Sequence, residues 1–348
     1  MWRTIGQPHA ITLLEGGLRT NNLSHAYLFI GPAHVGKTTL ALDLAQALNC
    51  QEDEPPCGVC KSCQRIATGK HTDVVTIGLA QPSAKSRTEA SVHIEIGIDE
   101  IRKLEQRANL SPFEGQCKVF IIDGAENLSI EAANSLLKVL EEPPPRVIIL
   151  LLTEDETKLL PTVISRCQRL ELKPISSIEV EKVLIDFHGI ASDRAKLLAR
   201  LSEGCLGWAI IAADNEAILQ QRTQKLSALS PLLRASWEER FDYVTQIDGD
   251  RELAEAILKL WLLWWRDVML VKGDCRDAIT NIDAIAIIKE WARVLTMEEI
   301  RDFIGSLQKI SEQISLNANV RLSMEVLMLD MPKKEGSGRV AVATPLSQ

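Results

Sequence analysis

The stretch Gly31-Pro-Ala-His-Val-Gly36-Lys37-Thr38-Thr39 has the residue types and spacing of a phosphate cradle, G-x-x-x-x-G-K-[ST]. Gly31 and Gly36 let backbone N–H groups turn toward phosphate oxygens. Lys37 has the reach for the terminal phosphates, and the Thr38 hydroxyl, with Thr39 beside it, can ligate Mg²⁺. The chemistry implied is the binding of ATP or ADP with Mg²⁺. The alternative is a glycine-rich strand-to-helix turn with an incidental lysine.

A second set of residues is Cys50 with Cys57-Gly-Val-Cys60-Lys-Ser-Cys63. Cys-x-x-Cys turns aim two thiolates at one ion, and four complete a tetrahedron, the ligand set of structural Zn²⁺. Four sulfur ligands leave no position open for water or substrate, so the expected zinc is structural. Buried unligated thiols and a redox Cys-x-x-Cys pair are the other readings.

Three further residues belong to the phosphate chemistry. Asp123 ends the apolar run Cys117–Asp123 and is placed to hold Mg²⁺, directly or through water. Thr153 follows the apolar run Val147–Leu152 and could meet a γ-phosphate. Arg166, in Ser165-Arg166-Cys167, suits phosphate charge in its own site or a neighbour's, with a surface ion pair as the plain alternative. Hydrolysing P-loop enzymes usually carry a glutamate directly after the aspartate, but here Gly124 stands there and the nearest acid is Glu126.

These residues need a particular frame. Ala26–Ile30 reads as a buried strand before the cradle and Leu40–Leu48 as a helix after it, with further buried strands at 117–123 and 147–152. Ile130–Leu140 reads as a helix stopped by Pro143. Ile11, Leu13, Leu14 and Leu18 predict a short helix before the first strand, either flanking a nucleotide base or simply packing. Ile98–Leu104 predicts an amphipathic helix; its basic face, Arg102, Lys103 and Arg107, is a solvated surface or a nucleic-acid contact. The polar stretch 78–95 reads as a loop. From Lys173 onward only helices are signalled, with Ser177–His188 and Ser192–Ser202 a small lid. Trp261, Trp264 and Trp265, at i, i+3 and i+4, form a core or packing stripe in preference to a stacking platform. After Pro332 periodicity ends and disorder is expected.

The chain has 348 residues, 46% hydrophobic and 25% charged, so two or three domains are expected. A net charge of −8 excludes a generally basic coat while leaving room for a local basic surface. Apolar runs such as Leu260–Trp265 fall far short of the roughly 18 residues of a membrane helix, and Met1-Trp-Arg-Thr does not open a signal peptide. A cytoplasmic protein is expected.

The order of cradle, four-cysteine knot, Asp-ended strand, Asn134-Ser-Leu-Leu-Lys-Val-Leu-Glu-Glu-Pro-Pro and Ser165-Arg-Cys167 resembles the bacterial clamp-loader family of AAA+ proteins, the delta-prime and gamma/tau subunits of DNA polymerase III, over roughly residues 1–210. His25-Ala-Tyr-Leu-Phe before the cradle is similar to that family's pattern as well. The resemblance implies an α/β P-loop AAA+ core at 1–172, a parallel sheet with helices on both faces, with the zinc module at 50–63 embedded in it. A helical lid at 173–210, an all-α collar at 211–331 and a disordered tail at 332–348 follow. It implies a pentameric ring with delta and gamma/tau subunits, acting on the sliding clamp and primer-template DNA, with no membrane. Arg166 would be an arginine finger acting in trans on a neighbour's ATP, and Thr153 a sensor of the chain's own site. Gly124, and the absence of an arginine from Gly204-Cys-Leu-Gly207-Trp208-Ala, favour a delta-prime subunit that binds nucleotide and turns it over poorly; a gamma/tau-like motor is the alternative, and a P-loop small-molecule kinase a more distant one.

Overall fold

The structure is a computed structural model that describes residues 2–78, 95–247 and 249–333. The loop expected at 78–95 and the tail expected after Pro332 lie almost wholly outside the described residues.

The chain divides into two compact units, Met1–Val180 with Gly204–Trp208, and Glu181–Glu203 with the chain from Ala209 onward. The first unit is built on five parallel strands, β1 (Ala26–Ile30), β2 (Val74–Ile77), β3 (Lys118–Asp123), β4 (Val147–Thr153) and β5 (Gln168–Glu171), in the order β2-β3-β4-β1-β5. Its helices are α1 (Pro8–Arg19), α2 (Lys37–Asn49), α3 (Lys61–Ala67), α4 (Ile98–Ala108), α5 (Ile130–Glu141) and the single turn α6 (Pro161–Ile164). Parallel strands need crossovers and are covered on both faces, which is why β1, β3 and β4 read as unbroken apolar runs. The residues of β1 divide between the faces. Ala26 and Leu28 join the core made with α4 and α5, through Leu104 and Leu136, while Tyr27 and Phe29 join the opposite core with Leu14 of α1 and Leu40 and Leu44 of α2. This is a parallel sheet with helices on both faces, as expected.

β2 and β5 carry no strong sequence signal. They are the two edges of the sheet, four residues each, and in β5 only Leu170 is buried. A strand with one covered residue has little to distinguish it from loop.

The second unit is helical. The chain enters it within α7 (Ser177–His188) and continues through α8 (Ser192–Leu201) and α9 (Leu206–Asp214). There follow α10 (Glu216–Ser227), α11 (Leu229–Leu232), α12 (Trp237–Ile247), α13 (Arg251–Lys272), α14 (Ile285–Val294), α15 (Met297–Ser315) and α16 (Val320–Asp330). α13 runs through one large core in which Trp261, Trp264 and Trp265 are all buried, so the tryptophan stripe is core. Arg240 is fully buried there, donating to the carbonyls of Leu232 (3.0 Å), Met328 (2.9 Å), Met331 (2.8 Å) and Pro332 (3.0 Å). Two of those carbonyls end α16 or directly follow it, where the helix dipole favours a cation.

Candidate functional site

β1 lies between β4 and β5, and β4 separates it from β3. All run the same way, so the carboxyl ends of β1, β4 and β3 open onto one crevice, the place where open parallel sheets take ligands. The register pairs Ile30 with Thr153 and Leu152 with Asp123, which brings cradle, Thr153 and Asp123 to one rim. There lies a cavity of about 370 Å³, within the range of small-molecule sites. Lys37, Thr38, Thr39, Gly36, Asp123 and Thr153 all line it, together with Glu126, Glu154 and Gly207.

The cradle is shaped by Gly36, whose φ of 109° is a left-handed conformation that side chains rarely adopt. Gly36 is also the N-cap of α2, so the positive end of that helix faces the cavity. Lys37 is buried and donates to the Gly31 carbonyl (2.6 Å) and the Pro32 carbonyl (2.9 Å). Gly31 thus serves the site through its carbonyl and is not among the cavity lining. Burial pulls the Lys37 ammonium below its ordinary value, and the carboxylates of Glu154, Glu126 and Asp123 pull it back up. The Thr38 hydroxyl donates to Asp123 Oδ2 at 3.2 Å, so the two residues expected to hold Mg²⁺ already share one locus. Thr153 is buried at the rim, but its hydroxyl donates to the Asp155 carbonyl (3.1 Å) and accepts from the Asp155 N–H (3.2 Å). That hydroxyl braces the turn after β4.

Glu126 was hard to place from the sequence, being three residues beyond Asp123. Gly124, at φ 77°, turns the chain into the single turn Ala125–Asn127, and Glu126 comes to the cavity wall. Its Oε1 accepts from the Glu154 N–H at 3.3 Å, while Oε2 is buried with no hydrogen-bond partner among the described residues.

Arg166 is not part of the cavity lining. It follows α6, pairs with Glu141 at 2.6 Å and donates to the Thr162 carbonyl at 2.9 Å. Its guanidinium is about one-third exposed, so it is held at the surface of its own unit.

The four cysteines come together. The sulfurs of Cys50, Cys57, Cys60 and Cys63 all lie within 4.8 Å of one another, and none is in a disulfide. A tetrahedron with Zn–S bonds of about 2.3 Å has edges of about 3.8 Å, so the cluster fits such an ion with small adjustments. N–H donors support it: Cys60 N–H on Cys57 Sγ (3.2 Å) and Cys63 N–H on Cys60 Sγ (3.5 Å). Burial pushes the Cys60 thiol up, but hydrogen bonds from Cys63, Gln51 and Cys57 outweigh it and bring it down to about 6; burial pushes Cys63 up. Cys50 directly follows α2, and Gln46 of α2 donates to the Cys63 carbonyl at 2.8 Å, so cluster and cradle sit at opposite ends of one helix.

Two buried acids without any local signature in the chain steady this unit. Asp43 of α2, fully buried, accepts from the N–H groups of Arg3 (2.8 Å) and Thr4 (2.9 Å) and from the Thr4 hydroxyl (2.8 Å). Asp73 accepts from the N–H groups of Phe113, Glu114 and Gly115, at 2.8 to 3.0 Å.

Comparison with known proteins fits this geometry. Residues 6–176 match the family model described as DNA polymerase III, delta subunit. The DNA polymerase III subunit delta′ of Bacillus subtilis (strain 168) is 30% identical over 93% of this chain and 95% of that protein. The chain belongs to the DNA polymerase III clamp-loader subunit family. The tau subunit of Escherichia coli (strain K12) is 38% identical, and that of Bacillus subtilis 39%, each over 93% of this chain. This family member spans only 52% and 60% of those two proteins. Among solved structures, a gamma subunit-related protein from Thermotoga maritima covers 91% of the chain and 97% of its own at 20% identity, with a TM-score of 0.47.

Proposed function

We propose that the chain is a delta-prime subunit of a bacterial DNA polymerase III clamp loader, a nucleotide-binding member of a ring that helps place the sliding clamp on primed DNA. The observation that carries this is the meeting of Lys37, Thr38 and Asp123 in one cavity, in a chain that matches a delta′ subunit almost end to end. Lys37 and the amides at the start of α2 would hold the phosphates of ATP or ADP, and Thr38 with Asp123 would hold Mg²⁺. The four cysteines would hold a structural Zn²⁺. Gamma/tau and delta subunits are the partners in a pentameric ring, DNA is met through the complex, and the work is cytoplasmic.

Arg166 is the residue this chain gives to a neighbour. Its place outside the lining of its own cavity, fixed by Glu141 and Thr162, supports action in trans, where charge on a developing phosphate is worth about 10³–10⁵ in rate. The division into a core to 172, a lid at 173–210 and a collar at 211–331 is part of the same reading. Changing Arg166→Ala should depress the ATPase of the reconstituted complex while leaving nucleotide binding by this chain intact. An unchanged ATPase would remove the finger.

A gamma/tau-like motor is the second reading, favoured by the higher identity to the tau subunits. Gly124 after Asp123 speaks against it. The isolated chain should bind nucleotide and turn it over slowly; fast hydrolysis lost in Lys37→Ala would replace the delta-prime reading with the motor.

A further inference from the structure

The guanidinium of Arg166 is held where α5 ends. Glu141, the last residue of α5, pairs its Oε1 with Arg166 Nη2 at 2.6 Å, and the carbonyl end of the helix favours a cation there. Nη1 donates to the Thr162 carbonyl at 2.9 Å and reaches the Ser165 hydroxyl at 3.5 Å. Nε meets no acceptor among the described residues, and the side chain is about one-third exposed. The fork is thus gripped by its two terminal nitrogens while part of its donor set stays unused.

The grip is anchored in the sheet. His25, the residue before β1, accepts the Ile149 N–H of β4 on its carbonyl at 2.9 Å, and its ring Nε2 donates to the Leu140 carbonyl at 3.0 Å. That carbonyl is one of the last four of α5, which have no partner inside the helix. Leu136, Val139 and Leu140 are buried as well. Glu141 is therefore carried on a fixed helix end and not on a frayed one.

An ion pair as exposed as this one adds little to the stability of a fold. What it does is restrict an arginine that would otherwise sample many rotamers. That restriction matters when the arginine must meet a group supplied by another chain, because a side chain ordered beforehand loses less freedom in the transition state.

We propose that Glu141 is the positioning residue of Arg166, setting the guanidinium for the phosphates of a neighbouring subunit's nucleotide; this rests on the trans-acting role of Arg166 given above. Glu141 itself touches no reacting atom. His25 stands one step further back, fixing the turn that carries Glu141.

The test uses the reconstituted ring, with hydrolysis confined to one site. The P-loop lysine is changed to alanine in every subunit, this chain's Lys37 included, except in the subunit that faces Arg166. Then kcat and KM for ATP are measured with Glu141→Ala, Glu141→Gln, Arg166→Ala and the double variant Glu141→Ala/Arg166→Ala in this chain. Arg166→Ala should lower kcat by about 10³-fold. Glu141→Ala should lower it about tenfold at unchanged KM, the mark of an interaction felt only in the transition state. Glu141→Gln, which keeps an acceptor oxygen, should lose about threefold. The double variant should match Arg166→Ala within about twofold, because Glu141 acts through Arg166. Three results overturn the role: a Glu141→Ala ring as fast as wild type, one whose loss lies in KM, or a double variant clearly slower than Arg166→Ala. If Arg166→Ala leaves kcat unchanged, the trans-acting reading falls instead, and that single variant tells the two failures apart.

Discussion

Arg240 and Lys37 are both buried cations that rest on backbone carbonyls, in different units and to different effect. Arg240 meets four carbonyls, three of them at Met328, Met331 and Pro332, and sits over the Trp237 ring at 5.1 Å. In the same unit Asp267, fully buried, takes the N–H groups of Thr280 and Asn281 and the Asn281 amide. Those charges are closed off, and their work is to hold loops and the end of α16 to the helices. Lys37 instead meets two carbonyls of its own loop and faces a cavity lined by carboxylates. A buried charge that is fully met stabilises; one that is partly met, beside open volume, is available to a ligand.

The contrast can be broken most severely at Arg240. Arg240→Met should take the guanidinium donor from four carbonyls, Leu232 keeping the Ala235 N–H, and cost on the order of 3 kcal/mol, read as a lower midpoint in a denaturant melt, with nucleotide affinity unchanged. If the melt hardly moves, the four bonds are not the anchor described. Lys37→Ala should do the reverse. Its melt should stay within about 0.5 kcal/mol of wild type, while ATP affinity falls by on the order of 100-fold, as expected for the loss of a charge-assisted contact worth about 2–3 kcal/mol.

Asp73 sharpens the comparison from a third side, being a met charge inside the nucleotide-binding unit. Burial pushes its carboxyl up, but the amides of Phe113, Glu114 and Gly115 outweigh that and hold it below the ordinary value of 3.8. Its stabilisation is therefore present above pH 3.8 and is lost as pH falls through the lower folded value. Asp73→Asn should cost about 2 kcal/mol at neutral pH, and the gap from wild type should close below pH 3.8 in an acid melt. A gap that persists unchanged at pH 2 would show that the amides do not favour the charged form. The smallest effect is expected at Thr153, whose hydroxyl is already spent on the Asp155 backbone. Thr153→Val should shift ATP affinity less than about threefold. A tenfold drop in the turnover of the ring, with affinity unchanged, would support the sensor role.

The site was legible in the sequence where chemistry is local. Cradle, cysteine knot and Asp123 each consist of neighbours in the chain, and Ala26–Ile30 and Val147–Thr153 advertise their burial by composition alone. What stayed hidden depends on distant backbone. Arg240 reads as one more arginine in Trp237-Glu-Glu-Arg240, because three of its acceptors lie 88 to 92 residues downstream and are carbonyls, which no side-chain pattern reports. Asp43 and Asp73 are hidden for the same reason, their donors being amides 39 to 42 residues away. Glu126 was visible, but only the left-handed turn at Gly124 shows where it goes.

The two carbonyl contacts of Lys37 bear on the heat and the speed of nucleotide entry. The ammonium does not wait in a void; it is latched to Gly31 and Pro32, much as Thr38 is latched to Asp123. Entry of phosphate is then an exchange of partners, in which bonds are given up as others are made. Calorimetry should register a modest enthalpy for a tight complex, and unlatching of the loop should set a ceiling on the association rate that added ligand does not lift.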